Sequence, residues 1–274
     1  MTPYMVPDRL VKILRSCESE DKAENRFPPT EVFNEGWMLR LVLDALQTVD
    51  VPGHPLGFLG KSKWYSEARL ISPFLRKPKK DLQGKEKDTL GEGYTNADGV
   101  IGHFKFREDT KSGLELIRGA RQFVVVEAKM FSNLSSGTTN ARGYNQAARN
   151  VACMASTIKA SGISLNDLES VGFFVVTAKR DTIFANCLKS KSIRDVVKER
   201  INSYESASRK EARELNEWET QYFLPLVDRL DKERRLSVLS WEQIIKPIAE
   251  IHEKIGEELG QFYKCCLDFG PPKR

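Results

Sequence analysis

The chain has no run of about 18 apolar residues, and its N-terminus carries no apolar segment typical of a secretory signal. These absences argue against a membrane-spanning helix and against export. None of the five cysteines forms a CxxC pair, and the three histidines are isolated from one another in the sequence. A zinc site is therefore not expected, and the cysteine pattern is typical of a reduced, cytoplasmic protein.

Strong charge and the common catalytic motifs are missing as well. Lys and Arg number 43 against 38 Asp and Glu, a net charge of +5 that permits a nucleic-acid partner without arguing for one. The stretch GFLGKS at 57–62 resembles the end of a phosphate-binding loop, but Pro55 stands where that loop needs Gly. No G-x-S-x-G motif of a serine hydrolase is present.

The pattern of apolar residues predicts an α/β fold. Hydrophobic residues make up 40% of the chain, enough for a sizeable core. Their periodicity predicts a helix (31–49), three strands (63–75, 98–106 and 121–129), a second helix (140–160) and a fourth strand (171–179). This order predicts a mixed central sheet of four or more strands flanked by helices.

The domain organisation follows from changes in composition. We expect an N-terminal segment (1–29), a core (30–185) and a charged helical extension (186–274) packed on the core. The extension contains a short strand near 236–240 and a last helix at about 247–264. Residues 76–93 are charged and aperiodic, which is typical of an insertion.

The stretch FVVVEAKM (123–130) carries the strongest chemical signal. A buried strand gains nothing from a carboxylate and an ammonium at its end, yet Glu127 and Lys129 follow four apolar residues and point to the same face. Asp98 opens the preceding predicted strand, so Asp98 and Glu127 converge if the two strands pair. With the Ala128 carbonyl they would form an oxygen site that suits Mg²⁺ or Mn²⁺.

These residues resemble the PD-(D/E)xK nuclease superfamily, also called restriction-endonuclease-like. The resemblance covers about residues 30–180 and rests on Asp98 followed by Glu127-Ala128-Lys129. Position 97 is Ala, where the motif's name has Pro, and Asn150 stands where the RecB-like branch has Tyr. The resemblance implies a restriction-endonuclease-like core and metal-dependent hydrolysis of phosphodiester bonds, most readily in DNA.

The resemblance also assigns roles to single residues. Asp98 and Glu127 would bind the metal together with the Ala128 carbonyl, and Lys129 would position or activate water. Glu35, on the core stripe of the first helix, matches an additional metal-binding Glu of some members. Gln146, on the helix after the third strand, matches a supporting Gln. All five side chains, Glu35, Asp98, Glu127, Lys129 and Gln146, are thus expected to be catalytic.

Contacts with nucleic acid are expected in the polar loop before the second helix. Asn140, Arg142 and Tyr144 offer an amide, a guanidinium and a hydroxyl for phosphate oxygens. The expected partner is nucleic acid, DNA in the first instance, with no membrane; a homodimer is allowed.

Each residue also has a simpler interpretation. Glu127 and Lys129 fit an exposed ion pair at a strand end, and Asp98-Gly99 fits a hairpin turn. Glu35 fits a helix N-terminus, Gln146 an ordinary helix surface, and the loop a solvated segment. Two further functions therefore stay open: a catalytically inactive nuclease fold that binds nucleic acid or a protein, and a structural protein of a larger complex.

Overall fold

A mixed sheet of five strands is the centre of the fold. The structure, a computed structural model, describes residues 13–14, 28–75, 90–108, 110–138, 140–178, 182–206 and 208–270. The sheet contains β1 (Lys63–Leu70), β2 (Thr95–Gly102), β5 (Gln122–Ala128), β8 (Ser170–Thr177) and β9 (Leu236–Ser240), in the order β1-β2-β5-β8-β9. Strand β2 is antiparallel to both β1 and β5, whereas β5, β8 and β9 run parallel to one another.

Short strands and helices complete the described chain. Two small hairpins are formed by β3 (Phe104–Phe106) with β4 (Leu114–Leu116), and by β6 (Gly137–Thr138) with β7 (Ala141–Arg142). The α-helices are α1 (Glu35–Thr48), α2 (Gln146–Ala160), α3 (Thr182–Cys187), α4 (Ser190–Glu205), α5 (Arg209–Trp218), α6 (Leu224–Lys232), α7 (Trp241–Ile251) and α8 (Glu253–Asp268). A π-helical turn, Glu219–Phe223, joins α5 to α6.

The sheet is covered by helices on both faces because β5 is apolar on both. Phe123 and Val125 belong to the core shared with α2, α4 and α6, whereas Val124 and Val126 belong to the core shared with α1 and α7. All four side chains are fully buried. A central strand buried on both faces is typical of a sheet with helices on both sides. The predicted α/β class, with a mixed sheet flanked by helices, is confirmed.

Several predicted boundaries shift for local reasons. The predicted strand 98–106 ends at Gly102, where the backbone passes so close to the Gln122 carbonyl that an added Cβ would lie 2.3 Å from its oxygen. The predicted helix 140–160 begins only at Gln146, because Asn145 caps it. The predicted helix 247–264 is two helices, α7 and α8, which meet at the non-helical backbone of His252.

The C-terminal part of the chain contributes directly to the sheet. The short strand predicted near 236–240 is β9, which pairs in parallel with β8. Most of the predicted insertion, residues 76–89, lies outside the described residues. Within the described ranges, no helix combines the length and apolar character needed to cross a bilayer.

Candidate active site

Glu127 is the centre of a buried polar cluster at the end of β5. Its side chain has no exposed surface, and three donors surround it. Lys129 Nζ donates to Oε1 at 2.6 Å, Gln146 Nε2 donates to the same oxygen, and Asn150 Nδ2 donates to Oε2 at 3.1 Å. Burial of a carboxylate is costly unless hydrogen bonds and a counter-charge compensate it, and here both are present.

Strand alternation and helix periodicity bring these side chains together. Phe123, Val125 and Glu127 point towards α2, so the strand's apolar face ends in the carboxylate. Gln146 and Asn150 lie one turn apart on α2 and therefore share the helix face that meets this carboxylate. Gln146 was predicted to support the site, and it touches Glu127. The sequence singled out Asn150 only as a departure from the RecB-like pattern. Its contact with Glu127 depends on which face of α2 meets the strand.

Asp98 lies beside Glu127, as the sequence predicted. The antiparallel register pairs Gly99 with Val126, so the next position along places Asp98 opposite Glu127. Asp98 Oδ2 accepts a hydrogen bond from the Ala128 amide at 2.8 Å. Asp98 is within strand β2, so it is not part of a hairpin turn. Asp98, Glu127 and the backbone of Ala128 therefore form one group.

The surroundings of Glu127, Asp98 among them, change its affinity for a proton. Burial, and after it the negative charge of Asp98, raises the pKa of Glu127 to about 8, although Lys129 acts in the opposite direction. A proton or a cation between Asp98 and Glu127 would relieve this repulsion. Carboxylate and carbonyl oxygens are the ligands that Mg²⁺ and Mn²⁺ prefer, so the donor set fits a divalent cation of this kind.

Two hydrogen bonds fix the backbone of Lys129. Its amide donates to the Val176 carbonyl at 2.8 Å, and its own carbonyl accepts from Trp241 Nε1 at 3.3 Å. The side chain is 11% exposed, so the Lys129–Glu127 pair is not the exposed ion pair of the simpler interpretation. The ammonium is fixed beside the carboxylates and keeps a narrow opening to solvent.

Glu35 does not join this group. It is the first residue of α1, which packs on the sheet face opposite to α2, and its charge contributes to a raised pKa of Cys266 on α8. Among the described residues, no three His, Cys, Asp or Glu side chains are placed to hold a metal ion together. The predicted convergence of Glu35 with Asp98 and Glu127 is therefore wrong, and its position in the first helical turn suits the helix dipole.

Glu67 is a carboxylate near the site that the sequence interpretation missed. It lies in β1 between Ser66 and Ala68, which pair with Gly99 and Ala97, so it stands across from Asp98. Its φ of 58° is in the left-handed region, which an L-residue adopts at a cost of about 1–3 kcal/mol. The residue as a whole is exposed, but partial burial of its carboxyl and then the charge of Asp98 raise its pKa, against the effect of Arg40. The only sequence signal was a Glu interrupting the strand pattern in KWYSEARL.

The predicted nucleic-acid loop is only partly placed for contact. Arg142 is exposed on β7, and Asn140 donates from Nδ2 to the Gly91 carbonyl at 2.7 Å. Tyr144 is 2% exposed and packs edge-on against Phe74, so its predicted contact with nucleic acid is wrong. Tyr144 directly precedes the Asn145 cap of α2, and its ring belongs to the core rather than to the solvated loop. Gln146 Oε1 accepts from the Ser135 amide at 3.1 Å, so this loop is tied to the Glu127 cluster.

Comparisons with known proteins add no relative: no protein-family model, no curated protein and no solved structure matches the chain.

Proposed function

We propose that this protein is a metal-dependent nuclease that hydrolyses phosphodiester bonds, most readily in DNA. The observation that carries the proposal is the position of Asp98 beside Glu127, with Lys129 Nζ 2.6 Å from the latter. Two carboxylates and an ammonium at one strand end are the groups that metal-assisted hydrolysis of a phosphodiester requires. The same residues carry the resemblance to the PD-(D/E)xK superfamily.

The two carboxylates and the Ala128 carbonyl would hold Mg²⁺ or Mn²⁺. When bound, such an ion polarises a phosphoryl oxygen and lowers the pKa of a coordinated water. Glu67, which stands across from Asp98, would act from outside the ligand set, through water or through its charge on Asp98. This assignment gives the left-handed backbone at Glu67 a role, since strained backbone persists mainly at functional sites.

The remaining residues would orient the Glu127 carboxylate and offset negative charge on the phosphate. Gln146 Nε2 and Asn150 Nδ2 hold the Glu127 carboxylate in one orientation beside Asp98. Lys129 Nζ is placed to position a water molecule or to offset the negative charge that develops on phosphate. Arg142, exposed on the neighbouring hairpin, would contact the phosphate backbone.

The direct test is cleavage of single- and double-stranded DNA in Mg²⁺, Mn²⁺ or EDTA. We expect metal-dependent cleavage by the wild type and a loss of about a thousandfold or more in Asp98→Asn, because that change removes one of two metal-binding charges. Asp44→Asn, at an exposed position on α1, is the matched control and should cleave normally. Full activity in Asp98→Asn would overturn the proposal.

A second function has a specific observation in its favour. Three protein donors already occupy Glu127, and the described residues contain no three-ligand metal group. These facts also fit a catalytically inactive nuclease fold that binds nucleic acid or a partner protein. Calorimetric titration of the wild type and Glu127→Ala with Mn²⁺ separates the two functions. Metal-dependent heat that Glu127→Ala loses supports the nuclease, whereas no heat and no cleavage support the binding module.

A further inference from the structure

A second polar site adjoins the candidate active site. It is a cavity of about 260 Å³ with Glu92, Tyr94, Thr138, Asn140 and Arg149 in its wall. Arg149 is the neighbour of Asn150 on α2, and Thr138 and Asn140 belong to the β6–β7 hairpin region. The same helix and the same loop therefore build both this cavity and the Glu127 cluster.

The cavity wall contains buried polar atoms that lack a partner. Glu92 Oε2, Thr138 Oγ1 and Arg149 Nε are buried and make no hydrogen bond within the described residues. Glu92 is only 4% exposed, and its other oxygen accepts from the Ser72 hydroxyl. Buried polar atoms in native proteins are nearly always paired, so three such atoms on residues that line one cavity call for a further partner there, an ordered water or a ligand.

The charges in the wall restrict the kind of ligand. A phosphate group would meet the Glu92 carboxylate at close range, which disfavours it. A metal ion would meet the positive charges of Arg149 and of Arg200, which both act on Glu92. A neutral ligand with at least one N–H donor for Glu92 and acceptors for Arg149 and Thr138 satisfies all three atoms.

The aromatic side chain in the cavity wall favours a flat ring as the ligand. Tyr94 is 55% exposed, and the Arg69 guanidinium lies 4.3 Å from its ring centroid, so the ring is held in place while presenting aromatic surface. Stacking on an aromatic side chain is a common way to bind an unpaired base. The volume is below the range of about 300–1,000 Å³ typical of drug-sized ligands, which suits one base better than a base pair.

We propose that this cavity binds one unpaired nucleobase of the DNA strand that is cut. The base edge donates to Glu92 and accepts from Arg149 and Thr138, and its face lies against Tyr94. This inference rests on the proposed function, because it takes the substrate to be nucleic acid. It implies that the substrate is single-stranded, or opened, next to the scissile bond, since a base paired in a duplex hides this edge.

The test is a binding scan that does not depend on cleavage. A fluorescein-labelled single-stranded oligonucleotide is prepared intact and as a series with one abasic site moved along the strand, and anisotropy is measured in EDTA. For the wild type we expect one position at which base removal weakens binding by about five- to a hundredfold, the effect of a hydrogen-bonded base. Arg149→Gln should bind the intact strand more weakly and lose this position dependence.

Matched variants separate base binding from phosphate binding. Arg142→Gln, on the same hairpin, should weaken all oligonucleotides equally and keep the position dependence. Thr138→Val provides a second variant if Arg149→Gln does not fold by circular dichroism, and it too should reduce the effect. An affinity independent of abasic position, or no single-strand binding at all, overturns the inference.

The outcome is distinguishable from that of the cleavage assay. Position-dependent binding without Mg²⁺-dependent cleavage would keep the base pocket and reject the nuclease. Cleavage together with an affinity that does not depend on the position of the abasic site would support the nuclease and reject the base pocket.

Discussion

Two of the buried glutamates in the described part of the chain lie in contrasting surroundings. Glu127 and Glu92 are both nearly inaccessible, and burial is the largest cause of a raised pKa in each. Three side-chain donors hold Glu127, whereas one hydroxyl holds Glu92 and leaves its second oxygen without a hydrogen bond to any described residue. The first environment fixes a carboxylate in one orientation, and the second leaves space for a ligand. The contrast separates a site for chemistry from a site for recognition.

Removing the ammonium beside Glu127 should have the largest effect. Lys129→Met is expected to reduce metal-dependent cleavage by about a thousandfold, since it removes the charge next to the carboxylates. The fold should survive at pH 6, because the raised pKa of Glu127 lets that carboxyl stay neutral without its partner. Lys105→Met removes an exposed ammonium that pairs with Glu115 at 3.4 Å and serves as the control. Equal activity in both variants would contradict a role for Lys129.

The second-largest expected effect is a difference between Glu127 and Glu92 in how the free energy of unfolding depends on pH. A pKa of about 8 in the folded state, against 4.5 as the ordinary value, means that the folded protein binds the Glu127 proton more tightly. This contribution to stability is complete below pH 4.5 and is lost as the pH rises to about 8. Each pKa unit corresponds to about 1.4 kcal/mol, so several kcal/mol are involved.

Urea unfolding without metal at pH 5, 6.5 and 8 measures this difference. Glu127→Gln cannot ionise, so its stability relative to the wild type should improve steadily over this range. Glu92→Gln should change in the same direction by less, because the Ser72 hydrogen bond, Arg149 and Arg200 oppose the rise in its pKa. The assignment of the two sites would be reversed if the free energy of unfolding, relative to the wild type, changed more with pH for Glu92→Gln than for Glu127→Gln.

The smallest expected effect concerns which further carboxylate belongs with Glu127. Glu67→Gln should reduce cleavage by about tenfold, the scale of an outer group around a metal. Glu35→Gln should leave cleavage unchanged and cost at most about 1 kcal/mol of stability, the scale of a charge at a helix N-terminus. Steady-state cleavage rates at saturating Mg²⁺ give the comparison. A stronger loss in Glu35→Gln would restore the role first expected for it.

Much of the site follows from strand alternation and can be read from the sequence. The apolar run 123–126 identifies a buried strand, and alternation places Glu127 on its α2 face. Asp98 could be placed opposite Glu127 because two neighbouring strands with carboxylates at matching ends pair in few ways. Gln146 was assigned through the resemblance, which implies a supporting Gln on the helix after this strand.

The remainder depends on tertiary structure. The left-handed backbone at Glu67 arises where β1 faces Asp98, and no local propensity predicts it for Glu. Tyr144 was assigned to nucleic-acid contact as part of a polar loop, whereas its ring packs in the core against Phe74. Glu35 fitted the helix stripe, but periodicity does not show which sheet face that helix covers. The cavity at Glu92 joins segments far apart in the sequence.

The position of a bound divalent cation tests the central claim most directly. Crystals of the wild-type protein soaked in MnCl₂ should show one anomalous-scattering peak about 2–2.3 Å from carboxylate oxygens of both Asp98 and Glu127, and Asp98→Asn crystals should lose it. If saturating Mn²⁺ gives no peak between these two side chains, or binds only elsewhere, the assignment of a metal-dependent active site to this strand end is contradicted.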